Sequence, residues 1–269
     1  KRFTKHKWPR FPNPKIKFPI DEIENQRLLE AESGTLDQIR EHAETSKDPM
    51  AALIIEPIQG EGGDNHFTDR FLKDLQALTH DIDALLIVDE VQTGVGATGR
   101  MWAFEHAEIQ PDIVAFGKKM QICGMFAGGR LHDLEDNVLT TSSRINSTWG
   151  GNLVDMVRSA EILKTIHRDD LLVNTAQRGG ELLQGLSEIS TAHPSLSNVR
   201  GRGTMCAFSL PSTDQRDTFR QHALEEGLFT LTCGAASIRL RPPLTMNADE
   251  IQEAITGFEA AARRLESSR

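Results

Sequence analysis

Ala84-Leu85-Leu86-Ile87-Val88-Asp89-Glu90 is an apolar run closed by two acids. No polar residue alternates within it, so it predicts a strand covered on both faces, as in a parallel sheet. Similar runs stand on either side. Residues 51–55 end on Glu56-Pro57, and residues 113–116 end on Gly117-Lys118. A shorter fourth run covers residues 125–127. Between the first two, Phe71, Leu72, Leu75 and Leu78 fall at helical spacing within residues 68–79. Apolar runs separated by helices predict an α/β chain on a mostly parallel sheet with βαβ crossovers. Ligands of such sheets gather beyond the carboxyl ends of the strands. Those ends carry Glu56, Asp89 and Lys118.

Outward from this core the pattern changes. Residues 21–46 read as a polar helix. Residues 154–165, 170–190 and 213–226 read as helices, and residues 199–210 as a strand entered through Arg200-Gly201-Arg202-Gly203. A strand at 237–240 stops at Pro242-Pro243. The last helix has Asn247 as N-cap with Glu250 three residues on, and Ile251, Ile255, Phe258, Ala262 and Leu265 on one face. The expected organisation is part of a large domain over residues 1–157 and a small α+β domain over 158–269.

The chain has 269 residues and a formal net charge of −9, which argues against a nucleic-acid surface. Its apolar runs are too short to span a bilayer. Three cysteines without a C-x-x-C give neither a disulfide framework nor a zinc site, and the histidines show no metal-ligand spacing; a reducing, cytoplasmic setting fits. The first twenty residues hold seven basic side chains and no acid. They lack an apolar targeting core, and Pro9, Pro12, Pro14 and Pro19 break any amphipathic helix, so they read as a surface segment of a longer chain.

Several motifs compete. Gly94-Val95-Gly96-Ala97-Thr98-Gly99, with Asp112 beyond it, spells a dinucleotide fingerprint, but five residues separate it from the strand, so it reads as a glycine-rich loop. The 85–90 run resembles the magnesium-binding strand of a P-loop ATPase, but the chain has no G-x-x-x-x-G-K-[ST]. No serine sits in a G-x-S-x-G elbow. Asp89 and Lys118, 29 residues apart, are about one βαβ unit from each other and can face one crevice. They read either as an ion pair or as the acid and lysine that pyridoxal phosphate requires.

Three strings carry a resemblance. They are Glu56-Pro57-Ile58-Gln59-Gly60-Glu61-Gly62-Gly63-Asp64, Asp89-Glu90-Val91-Gln92-Thr93-Gly94, and Pro111-Asp112-Ile113-Val114-Ala115-Phe116-Gly117-Lys118-Lys119. In order and spacing they resemble the class III, or omega, aminotransferases. Phe116–Gly124, Asn146-Ser147-Thr148-Trp149-Gly150-Gly151-Asn152, the 200–208 segment and Ile238-Arg239-Leu240-Arg241-Pro242-Pro243 are most similar to the lysine epsilon-aminotransferase group, L-lysine 6-transaminase. Enzymes acting on 4-aminobutyrate or ornithine are the rivals, and a non-catalytic remnant is the rival from another class.

The resemblance implies the fold type I of pyridoxal phosphate enzymes and transfer of the ε-amino group of L-lysine to 2-oxoglutarate in a homodimer. Lys118 would form the Schiff base and move protons; the glycine-lysine step selects it over Lys119. Asp89 would pair with the pyridinium nitrogen, Val91 pack on the ring, and Gln92 bond the ring hydroxyl. Thr148 would reach the phosphate of the neighbouring subunit's cofactor. Arg239 would bind a substrate carboxylate, with Glu61 neutralising it for the amine donor; the plain alternative is a static ion pair. Glu56 would be structural. The family pattern also has an upstream segment that supplies a phosphate cup, a stacking aromatic and an arginine. None has a counterpart here, and the spelling Val95-Gly96-Ala97-Thr98 departs from the family loop.

Overall fold

The computed structural model describes residues 8–145 and 150–267. The chain enters a long helix α1, Glu22–Thr45, whose N-cap Asp21 accepts the Glu24 backbone N–H. It buries Leu28 and Ile39 and leaves a polar outer face. Strand β1, Ala52–Ile55, follows, then a short hairpin of β2, Ile58–Gln59, and β3, Asn65–His66. Helix α2, Asp69–Asp81, is capped by Thr68 and buries Phe71, Leu72, Leu75 and Leu78. It leads into β4, Leu85–Asp89, and then come β5, Ile113–Phe116, and β6, Gly124–Ala127.

These strands form one sheet in the order β1-β4-β5-β6. The β1–β4 and β4–β5 pairs are parallel, as the apolar runs require. The last pair, β5–β6, is antiparallel. Its connection is a single 3₁₀ turn over Lys118–Met120 closed by Gln121 in the left-handed region, too short for a crossover. The crossover from β4 to β5 corrects the βαβ unit expected between Asp89 and Lys118. It is the glycine-rich loop followed by a 3₁₀ turn, Ala103–His106. Positive φ at Val95, Gly96 and Gly99 stops a helix from propagating there.

The second half begins with α3, Leu153–Arg168, which runs unbroken across residues 157 and 158, and α4, Leu171–Ala192. The single strand expected over 199–210 is instead a hairpin of β7, Ser197–Arg202, and β8, Met205–Ser209. Gly203, at φ +54, makes the turn. Helix α5, Thr213–Glu225, strand β9, Leu231–Cys233, strand β10, Ser237–Leu240, and helix α6, Ala248–Ser267, complete the fold. The sheet order is β7-β8-β10-β9, all antiparallel. Its core is Leu182, Leu186, Phe208, Phe219, Ile238 and Phe258, with the three phenylalanine rings in mutual contact. The reciprocal Asn247–Glu250 capping bonds start α6 as the sequence predicts.

Three backbones stack without side chains between them. A Cβ on Gly179 of α4 would lie 2.1 Å from the Gly203 carbonyl oxygen, and one on Gly203 would lie 2.5 Å from the Thr98 carbonyl carbon. The Thr204 N–H donates to the Ala97 carbonyl across the same contact. This clamps the glycine-rich loop between helix and hairpin. Gly179→Ala therefore destabilises the protein by about 3 kcal/mol, because backbone cannot move aside. Gly180→Ala, where a Cβ meets nothing within 4 Å, stabilises it by about 0.5–1 kcal/mol. Urea melts of the two variants check this; equal effects would refute the clamp.

Candidate active site

Asp89 is the last residue of β4, and its Cα is in register with Ala115 of β5. Lys118 follows three residues later, just past the carboxyl end of β5. Gly117 joins strand to lysine: a Cβ there would lie 3.0 Å from Cys123 Sγ and 3.5 Å from Val91 Cγ1. Lys118 is exposed and held at φ +46, a conformation that costs a lysine about 1 kcal/mol or more. The Asp89 carboxylate accepts the Val91 N–H at 3.0 Å, which shapes the turn after β4.

Glu56, beyond β1, shares this neighbourhood. Burial pushes its carboxyl above the usual range; the charge of Asp89 adds to the rise and Lys118 opposes it. Its Oε2 accepts the Gly60 N–H at 3.0 Å, so it braces the turn that follows. The ends of β1, β4 and β5 thus meet in one electrostatic field, as the strand-end argument expects.

Lys119 does something different from its neighbour. Its ammonium donates to the Gln92 carbonyl at 3.1 Å. Burial, followed by the charges of Arg241 and Lys118, pushes it down to about 8. Gln92 Oε1 accepts from Arg241 Nη2 at 2.9 Å, and Arg241 Nη1 donates to the buried Asp64 carboxylate at 2.8 Å. Arg200 Nε donates to the Asp64 carbonyl at 2.8 Å, pinning the same loop.

The Arg239 guanidinium lies on β10 opposite that loop. Its Nη2 meets Glu61 Oε1 at 2.7 Å. The arginine side chain is 11% exposed and the glutamate 77%. Arg239 Nε and Nη1 are buried with no hydrogen-bond partner among the described residues. A guanidinium with two undirected donors beneath a solvent-facing carboxylate suits a second carboxylate from outside.

Sequence reasoning missed Asp64, Arg200 and Arg241 as parts of this assembly. One signal was present: in Ile238-Arg239-Leu240-Arg241 the two arginines are two apart and share a strand face. Asp112 is not available to a nucleotide. Its buried carboxylate accepts from the Leu86 N–H and from Arg130. Thr148 lies outside the described residues. No group of His, Cys, Asp and Glu among the described residues is arranged to hold a metal.

His66, on β3, is buried in the same arginine-rich junction. Burial, then Arg200, Arg202 and Arg241, lowers it to about 3 from 6.5. Between those values the unfolded chain binds a proton that the native chain refuses. Its contribution is intact above pH 6.5 and is lost progressively as pH falls, by about 2 kcal/mol at pH 5. The stability difference between the protein and His66→Gln should narrow by that amount between pH 7.5 and pH 5 in urea melts. A difference independent of pH would remove His66 from the acid limb.

The donor set at these strand ends has the chemistry that pyridoxal phosphate needs: a carboxylate in Asp89, an amine in Lys118, an amide in Gln92 and an apolar side chain in Val91. The family model described as aminotransferase class-III matches residues 1–262. The L-lysine-epsilon aminotransferase of Amycolatopsis lactamdurans is 46% identical over 268 residues, 99% of this chain and 59% of that protein. The 4-aminobutyrate aminotransferase of Dictyostelium discoideum is 36% identical, over 96% of this chain and 51% of that protein. The structure of lysine aminotransferase from M. tuberculosis in the internal aldimine form superposes with a TM-score of 0.94 at 43% identity, covering 98% of this chain and 60% of that one. The chain spans about three fifths of the length of the lysine-acting relatives it matches.

Proposed function

The chain belongs to the class-III aminotransferases, and from that membership we propose that it carries the reactive lysine of a pyridoxal phosphate enzyme that moves the ε-amino group of L-lysine to 2-oxoglutarate. The Glu61–Arg239 pair carries this reading, and the names of its most similar relatives favour lysine as the amine donor.

Bound pyridoxal phosphate supplies an electron sink for the carbon that loses its proton. The residues of the chain do the rest. Asp89 would hold the ring nitrogen protonated. Val91 would pack on a face of the ring, and Gln92 would offer an amide to its hydroxyl. Lys118 Nζ takes up the proton from the amine-bearing carbon of the substrate. Arg239 receives the 2-oxoglutarate carboxylate beside the reacting carbon. The ε-carbon of lysine bears no carboxylate, so Glu61 stays on Arg239 for that substrate and swings aside for the other. The turn around Glu61 contains Gly60, Gly62 and Gly63, which eases that movement.

The same reading divides the chain into a large-domain portion, 1–157, and a small domain, 158–269. It takes the protein as a cytoplasmic homodimer with Thr148 near the partner's cofactor phosphate. The free cysteines support a reducing setting. The exposed Leu153, Val154 and Val157 on α3 support a subunit contact.

Amine-donor assays with lysine, ornithine and 4-aminobutyrate test the substrate. The expected result is turnover of lysine at least about tenfold above the other two, a difference of about 1.4 kcal/mol in transition-state binding. No turnover of lysine in the full-length protein would sink the proposal.

A further inference from the structure

We propose that Arg241, backed by Asp64, is a positioning residue that sets which end of the Gln92 amide faces the cofactor ring. The inference rests on the pyridoxal phosphate reading above.

An amide carries an acceptor at one end and a donor at the other, and the two have nearly the same shape. A guanidinium only donates. Arg241 Nη2 lies 2.9 Å from Gln92 Oε1, so the amide oxygen is claimed by Arg241 and the NH₂ is turned to the other side. Arg241 cannot itself turn away, because Asp64 holds both its terminal nitrogens. Asp64 is 1% exposed, and its backbone is tied to Gly60 and Arg200. Gly60 completes the arrangement: a Cβ there would lie 2.0 Å from Gln92 Oε1 and 2.8 Å from Nε2, so only glycine admits the amide. Lys119 fixes the Gln92 backbone from the other side.

The consequence is chemical. An N–H aimed at the ring oxygen favours the anionic form of that oxygen; a carbonyl aimed there would oppose it. The clamp therefore makes Gln92 a donor to the ring. It also joins two functions, since Asp64 lies on the loop of Glu61 and Arg241 on the strand end of Arg239. The other charged groups coupled to this neighbourhood are Asp89, Glu56, Glu90, Lys118 and Lys119, and the variants that disturb the clamp leave all of them unaltered.

The test is a pH titration of the absorbance of cofactor bound to the full-length protein, read alongside a Lys118→Ala control. Arg241→Gln alone strands the buried Asp64 charge and risks misfolding. The working variants are Asp64→Asn/Arg241→Gln, which removes both charges, and Gly60→Ala, which changes no charge and pushes the amide aside. Each should raise the titration midpoint by about one pH unit, the size of one lost charge-assisted hydrogen bond. Gln92→Ala should do the same, and combining it with Asp64→Asn/Arg241→Gln should add nothing further, because both act through one amide. Midpoints equal to wild type in Asp64→Asn/Arg241→Gln and Gly60→Ala overturn the proposal, as does a shift that adds to that of Gln92→Ala. Absence of any Lys118-dependent band overturns the cofactor reading, and this inference with it.

Discussion

Replacing Lys118 with alanine should abolish the absorbance of covalently bound cofactor and lower kcat by at least about 10³-fold, since in the proposed role it is both an attachment point and a proton carrier. Lys119→Ala should keep the band. The contrast is a real contest between two neighbouring amines. Burial lowers Lys119 to about 8, which favours its neutral, nucleophilic form. Geometry points the other way. The Lys119 ammonium is engaged by the Gln92 carbonyl and is largely enclosed, whereas Lys118 is exposed past the end of β5, in the field shared with Asp89 and Glu56. A reactive amine must reach a ligand before its protonation state matters. If Lys119→Ala loses the band and Lys118→Ala keeps it, the assignment is reversed.

The second large effect concerns Glu61. Glu61→Ala should slow the half-reaction with lysine by about 10- to 100-fold and leave the half-reaction with 2-oxoglutarate within about threefold. Without Glu61, Arg239 faces the amine donor as a mostly buried cation, with Nε and Nη1 already lacking partners among the described residues. An uncompensated charge of this kind is costly beside a substrate carbon that brings no carboxylate. On the proposed reaction the 2-oxoglutarate carboxylate would replace Glu61 and need no help from it. Single-turnover rates for each half-reaction separate the two cases. Equal slowing of both would make the pair a static strut, and faster turnover of lysine in the variant would mean that Glu61 hinders the donor.

Much of the large sheet is legible along the chain. Each of its first three apolar runs becomes a strand, because a short unbroken apolar run closed by a charged or glycine stop is a local signal, although Ile54 of β1 stays 61% exposed and the sheet is not covered evenly on both faces. Helices α2 and α6 are legible for a similar reason, through an apolar stripe and a capping residue. The hairpin of β7 and β8 is not. Arg200-Gly201-Arg202-Gly203 reads equally well as strand entry, and only the packing of Gly203 on Ala97 and Thr98 makes it a turn. The short strands β2, β3 and β9 escape notice because two or three residues carry no period.

For the site, the sequence by itself determined which residues are available at the strand ends: Glu56, Asp89 and Lys118 follow apolar runs whose direction is set by the parallel sheet. Family likeness added Val91, Gln92, Glu61 and Arg239. The tertiary structure alone decided how distant charges are paired. Asp64 and Arg241 are 177 residues apart and Glu61 and Arg239 are 178 apart, and no local pattern says that a buried carboxylate there is met by that guanidinium. A buried charge needs a partner, but any of the chain's many arginines satisfies the rule on paper. Which one does so depends on where the second sheet docks, and that docking puts Arg239 under Glu61 and Arg241 against Gln92.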